Sequence, residues 1–223
     1  MKENLNDNVS YKKFTISGNE EMMNSLSQCF QNSGYQFITT EEFNTSYTSA
    51  HSSRVSAFSV LIGEKLGLSD EEINSLRLGG LFHDVGKFGI PTSIINKDSK
   101  LTDDEYSKMK THTLIGTEIL SSSAMFKNIL PIVEHHHEKY DGNGYPSNLK
   151  GNDIPYLARI IAIADSFDAM TSKRTYNTPM SIEDVKAELK RCSGTQFDPS
   201  LVDVFLDILD NNYDEIIDIQ SRF

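Results

Sequence analysis

The chain has 223 residues, 38% of them hydrophobic, and 32 acidic against 21 basic side chains give a formal net charge of −11. That length suits one domain with appendages, and the acidic balance argues against a broad basic face for polymeric nucleic acid while leaving room for a small anionic ligand beside bound cations. The most apolar run, Ile160 to Ala164, falls far short of the roughly 20 residues of a membrane span, so no membrane insertion is expected. The opening MKENLNDNVSYKKF lacks the apolar core of a signal peptide, and two distant cysteines, Cys29 and Cys192, form no disulfide framework. A cytoplasmic protein is the expectation.

Residues 1–43 read as an extension rich in Asn, Ser and charge, in which Met22, Leu26, Cys29 and Phe30 recur at helical spacing. A helix packed on the main domain or on a second copy is expected there. Residues 44–210 carry a helical pattern throughout, and 211–223 read as the end of the last helix and a tail. Ser69 with Glu72 and Thr102 with Glu105 fit capping boxes, and Asp198 before Pro199 fits an N-cap followed by proline. These signals predict helices over 47–66, 70–84, 103–120, 125–139, 155–171, 181–191 and 199–218. The longest non-helical stretches, FGIPTSIINKDSK and DGNGYPSNLKGNDIP, have the Gly, Pro, Asn and Asp content of turns. The fold class is therefore all-α, a helical bundle.

All six histidines lie between residues 51 and 137, among them a His83-Asp84 pair and the triplet His135, His136 and His137. Imidazoles and carboxylates on several helices suit a metal site inside a bundle. In the predicted helix 125–139 the apolar set Phe126, Ile129, Leu130, Ile132 and Val133 defines the inward side. His136 and His137 fall about 50° to either side of that direction and His135 about 150° away. Two adjacent inward imidazoles are hard to satisfy as ordinary core residues, since each needs partners for both ring nitrogens, whereas His135 reads as a solvated bystander.

His112 falls among Met109, Ile115, Ile119 and Leu120, with Gly116 one turn on; a core histidine and a ligand fit it equally. His83 and Asp84 end a largely apolar helix, where an unpaired carboxylate is costly to bury. Asp165 sits in the apolar run RIIAIADSFDAM, with Ala158 and Ala162 leaving space before it. A metal or a salt bridge would satisfy it. Asp168, on a nearby face, suits a salt bridge or a supporting role behind the ligands.

Together these segments resemble the HD-GYP family of HD-domain metal-dependent phosphohydrolases: HSSRV at His51, HDVGKFGIP at His83, INKDSKLTDDE, HTLIG at His112, HHEKYDGNGYP at His136, LKGNDIP, ARIIAIADSFDAMTSKRTY and GTQFDP at Gly194. The resemblance spans roughly residues 45 to 205 and implies an HD-type bundle with extra C-terminal helices that cleaves cyclic di-GMP. By motif position it implies His51, His83, Asp84 and Asp165 around one metal, with Asp84 bridging to a second metal held by His112, His136 and His137. Iron or manganese is the implied pair, though the ligand chemistry also suits zinc or nickel. A hydroxide bridging the two metals would attack phosphorus. Lys87 would reach the phosphate or the hydroxide as a point charge, Arg174 would grip a phosphate, and Tyr145 would contact the ligand or a partner protein; a surface lysine, a helix-capping arginine and a turn-stiffening tyrosine are the alternatives.

Two positions depart from the family pattern. Tyr47 stands where some members carry a glutamate ligand to a third metal, which predicts a two-metal site and linear pGpG rather than GMP as product. Asn177 stands where related proteins often carry a basic residue near the phosphates, which predicts modest activity. The resemblance leaves open a homodimer and a signalling partner on the Gly-Tyr-Pro loop. With only about 40 residues ahead of the catalytic region, regulation comes from elsewhere or the chain is part of a longer protein. A non-catalytic cyclic dinucleotide receptor and an HD-type enzyme for another nucleotide are the rival readings.

Overall fold

The computed structural model describes residues 20–34, 47–172 and 178–223, the side chains of 47–49 excepted. Arg174 and Asn177 lie outside the described residues, as does the Tyr47 side chain. Every extended element among the described residues is helical, and an isolated bridge between Ser193 and Phe197 is the nearest approach to a strand. None of these helices is long and apolar enough to cross a membrane.

Helix α1 (Glu20–Ser33) buries Met22, Leu26, Cys29 and Phe30, the four residues whose spacing predicts its inner face. It packs on the main body, against the helix that begins at His112. There the Cys29 thiol faces the Leu120 carbonyl at 3.9 Å, and the Phe30 ring meets Phe88 edge to face at 5.4 Å. Helices α2 (Tyr47–Lys65) and α3 (Asp70–Phe82) form an antiparallel pair joined at Gly67, whose φ of 69° suits a residue without Cβ. The Ser69–Glu72 capping box starts α3 as expected. A Cβ on Gly80 would stand 2.5 Å from the Ser56 Cα, so the two backbones are in direct contact.

The predicted helix 70–84 ends at Phe82. His83 still has helical dihedrals, but Asp84 turns to φ −99° and ψ 7° and opens a 3-10 segment, Val85–Gly89. Short α4 (Thr92–Ile95) lies within the stretch read as a loop. The expected helix 103–120 is two, α5 (Asp103–Lys110) and α6 (His112–Leu120), parted at Thr111. The Thr111 hydroxyl donates to Lys108 O at 2.7 Å and the His112 Nδ1 to Met109 O at 2.7 Å, side-chain bonds that compete with a continuous ladder.

The predicted helix 125–139 is a 3-10 segment, Ala124–Ile129, followed by α7 (Leu130–His135). Pro131 in the first turn of α7 lacks the N–H that an unbroken helix would need and is at home where a new one starts. Next come α8 (Tyr156–Thr171), α9 (Ile182–Cys192), α10 (Pro199–Asn211) and α11 (Tyr213–Arg222), the last two separated by Asn212 at φ −127° and ψ 29°. Helix α8 is the central element: it packs on α2, α3, α7, α9 and α10 and buries Ala158, Ile160, Ile161, Ile163, Ala164 and Phe167. Phe167 stands edge to face with both Phe58 and Phe205 at 5.0 Å, which ties the C-terminal helices to α2.

Candidate metal centre

Asp84 is the hub of the histidine cluster, 5% exposed at the turn after α3. Its Oδ1 lies 3.4 Å from His112 Nε2 and 3.9 Å from His136 Nε2. Its Oδ2 lies 3.3 Å from His83 Nε2 and 3.9 Å from His51 Nε2. One carboxylate oxygen therefore faces each half of the cluster. The side chains fall into two groups whose potential ligand atoms lie within 4.8 Å of one another: Asp84, His112, His136 and His137, and His51, His83 and Asp165.

Two close backbone approaches make this possible. A Cβ on Gly86 would come 1.8 Å from His112 O and 2.4 Å from Gly116 N, so only glycine lets the turn after Asp84 sit against α6. The contact between Gly80 and Ser56 sets α3 and α2 at the distance that brings His83 beside His51, their ring centroids 5.3 Å apart.

The ring orientations are locally determined. His83 Nδ1 donates to Gly80 O at 2.8 Å, His112 Nδ1 to Met109 O at 2.7 Å and His136 Nδ1 to Val133 O at 2.9 Å. Each partner is the carbonyl three residues back. Because a carbonyl only accepts, Nδ1 carries the proton and the Nε2 lone pair is left for the centre. His51 uses a side chain instead: its Nδ1 meets Asp168 Oδ2 at 2.7 Å, while Arg54 donates to both oxygens of that carboxylate, at 2.5 and 3.2 Å. His51 Nε2 then faces Asp165 Oδ1 at 3.3 Å.

Burial lowers the affinity of His136, His137 and His112 for a proton, His137 to a pKa of about 4. Neutral imidazole is the metal-binding form. Burial acts on His51 in the same sense, but the hydrogen bonds its ring donates to Asp165 and Asp168 outweigh it and raise the group to about 9. Burial opposes the charge on Asp84 as well, yet the Lys87 ammonium and the neighbouring His83 hold its carboxyl well below the usual range.

The residues present fit metal ions. His83 Nε2 and Asp84 Oδ1 are buried and have no hydrogen-bond partner, although both point into the cluster. Leaving such groups unsatisfied costs about 1–3 kcal/mol each, and coordination would satisfy both. The donor set, imidazole with carboxylate, suits first-row divalent metals.

Of the remaining expected residues, Lys87 donates from Nζ to Asp84 Oδ2 at 2.5 Å and keeps its side chain 36% exposed. The Tyr145 ring stands 4.9 Å from His137 and 6.4 Å from His112. His135 has no contact with the cluster, but it is not the fully solvated residue expected. Its side chain is 15% exposed, with Nδ1 3.7 Å from Glu138 and Nε2 3.8 Å from Glu134. His137 lies beyond the end of α7, so a turn rather than the helix wheel brings it in. Sequence reasoning missed Arg54, although three residues after His51 on one helix is a spacing that shares a face. It also missed Glu138, which had no periodic signal.

An all-α bundle with a buried histidine and aspartate cluster able to bind metal ions defines a protein of HD type. The HD domain family model matches residues 42–201, and the chain belongs to this family, in its HD-GYP branch. It is 36% identical over 205 residues to the 3'3'-cGAMP-specific phosphodiesterase 2 of Vibrio cholerae, covering 91% of this chain and 38% of that protein. It is 42% identical over 167 residues to the cyclic di-GMP phosphodiesterase response regulator RpfG of Xanthomonas campestris, covering 74% of this chain and 44% of the relative. The chain thus spans less than half the length of these relatives. Among solved structures, an HDG"Y"P protein of Bdellovibrio bacteriovorus shares the fold, with a TM-score of 0.63 and 20% identity over 86% of this chain and 65% of that one.

Proposed function

We propose that the protein is a metal-dependent phosphodiesterase that hydrolyses cyclic di-GMP to linear pGpG at a dinuclear site. The observation that carries this reading is the Asp84 carboxylate, with one oxygen toward each of two donor groups. In this reading His51, His83, Asp84 and Asp165 hold one metal, and Asp84, His112, His136 and His137 hold the other. Two divalent ions, iron or manganese by family resemblance, would supply a water deprotonated near neutral pH and positive charge for the phosphoryl oxygens.

The chain's own groups do the rest. Asp168 keeps the His51 proton on Nδ1, and the three helix-end carbonyls do the same for His83, His112 and His136. Lys87, partly exposed and paired with Asp84, would offer its ammonium to a substrate phosphate as a point charge. Tyr145 forms an aromatic wall on the His112 and His137 side, where the ligand would lie. Arg174 would grip a substrate phosphate.

A second substrate reading has a specific basis: a relative matched over 91% of this chain is named for 3'3'-cGAMP. A receptor without catalysis is less well supported, since binding alone would not need the full set of seven donors.

The test is to quantify bound metals and follow cyclic di-GMP and 3'3'-cGAMP by chromatography, with the native protein and Asp84→Ala. Two metals per chain are expected, with pGpG formation that falls at least about 10²-fold in the variant. Metal-loaded protein that binds cyclic dinucleotides but releases no linear product would sink the enzyme reading. Preferential cleavage of 3'3'-cGAMP would replace the substrate, and three metals per chain would overturn the expectation drawn from Tyr47.

A further inference from the structure

One buried side chain from outside residues 144–149 accepts two amides of the loop that carries Tyr145. Glu138 follows the candidate ligands His136 and His137 directly, and its carboxylate is buried, the whole residue only 3% exposed. It is not engaged by lysine or arginine in any ion pair seen among the described residues. Instead Oε1 accepts the Ser147 N–H at 2.7 Å and Oε2 accepts the Leu149 N–H at 3.1 Å. The nearest ring nitrogen, His135 Nδ1, is 3.7 Å from Oε1. A buried carboxylate is retained against its desolvation cost only where such donors are fixed, and bonds to a charged acceptor are stronger than those between neutral groups.

The backbone around it is equally close. A Cβ on Gly144 would stand 2.4 Å from the Glu138 Cα and 2.2 Å from Lys139 N, so the loop lies directly on the turn. The Tyr145 N–H donates to His137 O at 3.3 Å, and its ring then rests over the His137 imidazole, tilted by 33°. The two oxygens of Glu138 thus hold the loop on the far side of Tyr145, while His137 O holds it at Tyr145 itself.

From this arrangement we infer that Glu138 is a positioning residue for substrate: it ties residues 144–149 to the His136–His137 turn and thereby fixes Tyr145 as the wall of the binding cleft, without holding metal itself. The inference rests on the phosphodiesterase reading for its kinetic consequence but not for its structural one. Glu138→Gln keeps the shape and one acceptor oxygen while replacing the other with an amide donor that opposes an N–H.

The experiment compares Glu138→Gln, Tyr145→Ala and the double variant with the native protein. In Glu138→Gln, metals per chain and cleavage of bis(p-nitrophenyl) phosphate, a small diester with no second nucleoside to place, are expected to stay within about twofold. KM for cyclic di-GMP is expected to rise about tenfold or more in Glu138→Gln, in line with loss of a charge-assisted hydrogen bond. The double variant should match Tyr145→Ala, because both act through one ring.

Hydrogen exchange at the Ser147 and Leu149 amides should accelerate in Glu138→Gln whatever the substrate proves to be. Unchanged exchange overturns the inference, as does a parallel loss of metal and of small-diester cleavage, or additive effects in the double variant. If native protein cleaves no cyclic dinucleotide, the functional reading fails, and the exchange result alone decides the role of Glu138. Should Glu138→Gln not fold, Glu138→Asp, which keeps the charge and shortens its reach, gives the same comparison.

Discussion

His51 and Asp168, 117 positions apart in the chain, meet through Nδ1 and Oδ2 at 2.7 Å, and Arg54 donates to both oxygens of the same carboxylate. This is the one imidazole among His51, His83, His112 and His136 whose proton is held by a side chain. Asp168→Asn should therefore weaken metal binding in the His51 group by about 10- to 100-fold, the usual cost of losing a partner behind a ligand. Stepwise metal titration should show one site weakened and one intact. Equal loss at both sites, or at neither, would refute the division into two groups.

Gly86→Ala should be far more damaging than its size suggests. The added methyl group would stand 1.8 Å from His112 O, against backbone on both elements. Overpacking of this kind costs about 1–3 kcal/mol or more, which lowers the melting temperature of a chain this long by several degrees. Metal content should fall as well, because the displaced turn carries Asp84 away from His112. A variant that melts and loads metal like the native protein would contradict the packing described.

His135→Ala should leave metals per chain and kcat within about twofold of the native values, a deliberate contrast with His136→Ala, in which metal binding collapses. His135 contacts Glu134 and Glu138 but nothing in the cluster. A loss of metal in His135→Ala, measured by elemental analysis, would place it in the site after all.

The metal-free protein should lose stability as pH falls from 6.5 toward 4. His137 has a folded-state pKa of about 4 against an ordinary 6.5, and His112 and His136 are shifted in the same direction. Between those values the unfolded chain binds protons that the folded one refuses, so acid favours unfolding. His51 has the opposite sign: raised to about 9, it contributes stability that is complete below 6.5 and is lost as pH rises through 9. Denaturation of chelator-treated protein across this range should show both limbs. His137→Asn should flatten the acid limb, and an unaltered slope would show that the buried imidazoles are not its source.

Much of the fold was legible because caps and apolar spacing are local signals. Ser69, Thr102 and Asp198 all cap helices where expected, and Met22, Leu26, Cys29 and Phe30 form the buried face of α1. Helix continuity was less legible. The break at Thr111 comes with a side chain whose hydrogen bond to Lys108 O competes with the backbone ladder, and the one at Asn212 with non-helical dihedrals and a side chain bonded to Glu215; spacing alone does not weigh either.

For the candidate centre, the wheel separated His136 and His137 from His135 even though the helix stops before His137. Arg54 and Glu138 remained hidden for a different reason. Their partners, Asp168 and the amides of Ser147 and Leu149, come close only once the chain has folded.

The three imidazoles bonded to carbonyls of their own turns have a consequence for how such a centre can drift over time. Gly80 O, Met109 O and Val133 O are main-chain atoms, so no exchange of side chains can remove them while the helix ends persist. Electron donation by His83, His112 and His136 is in that sense hard-wired. Asp168 and Arg54 can be replaced by ordinary mutation, which leaves His51 as the adjustable ligand and makes its corner the one where descendants of this sequence would change their metal preference first.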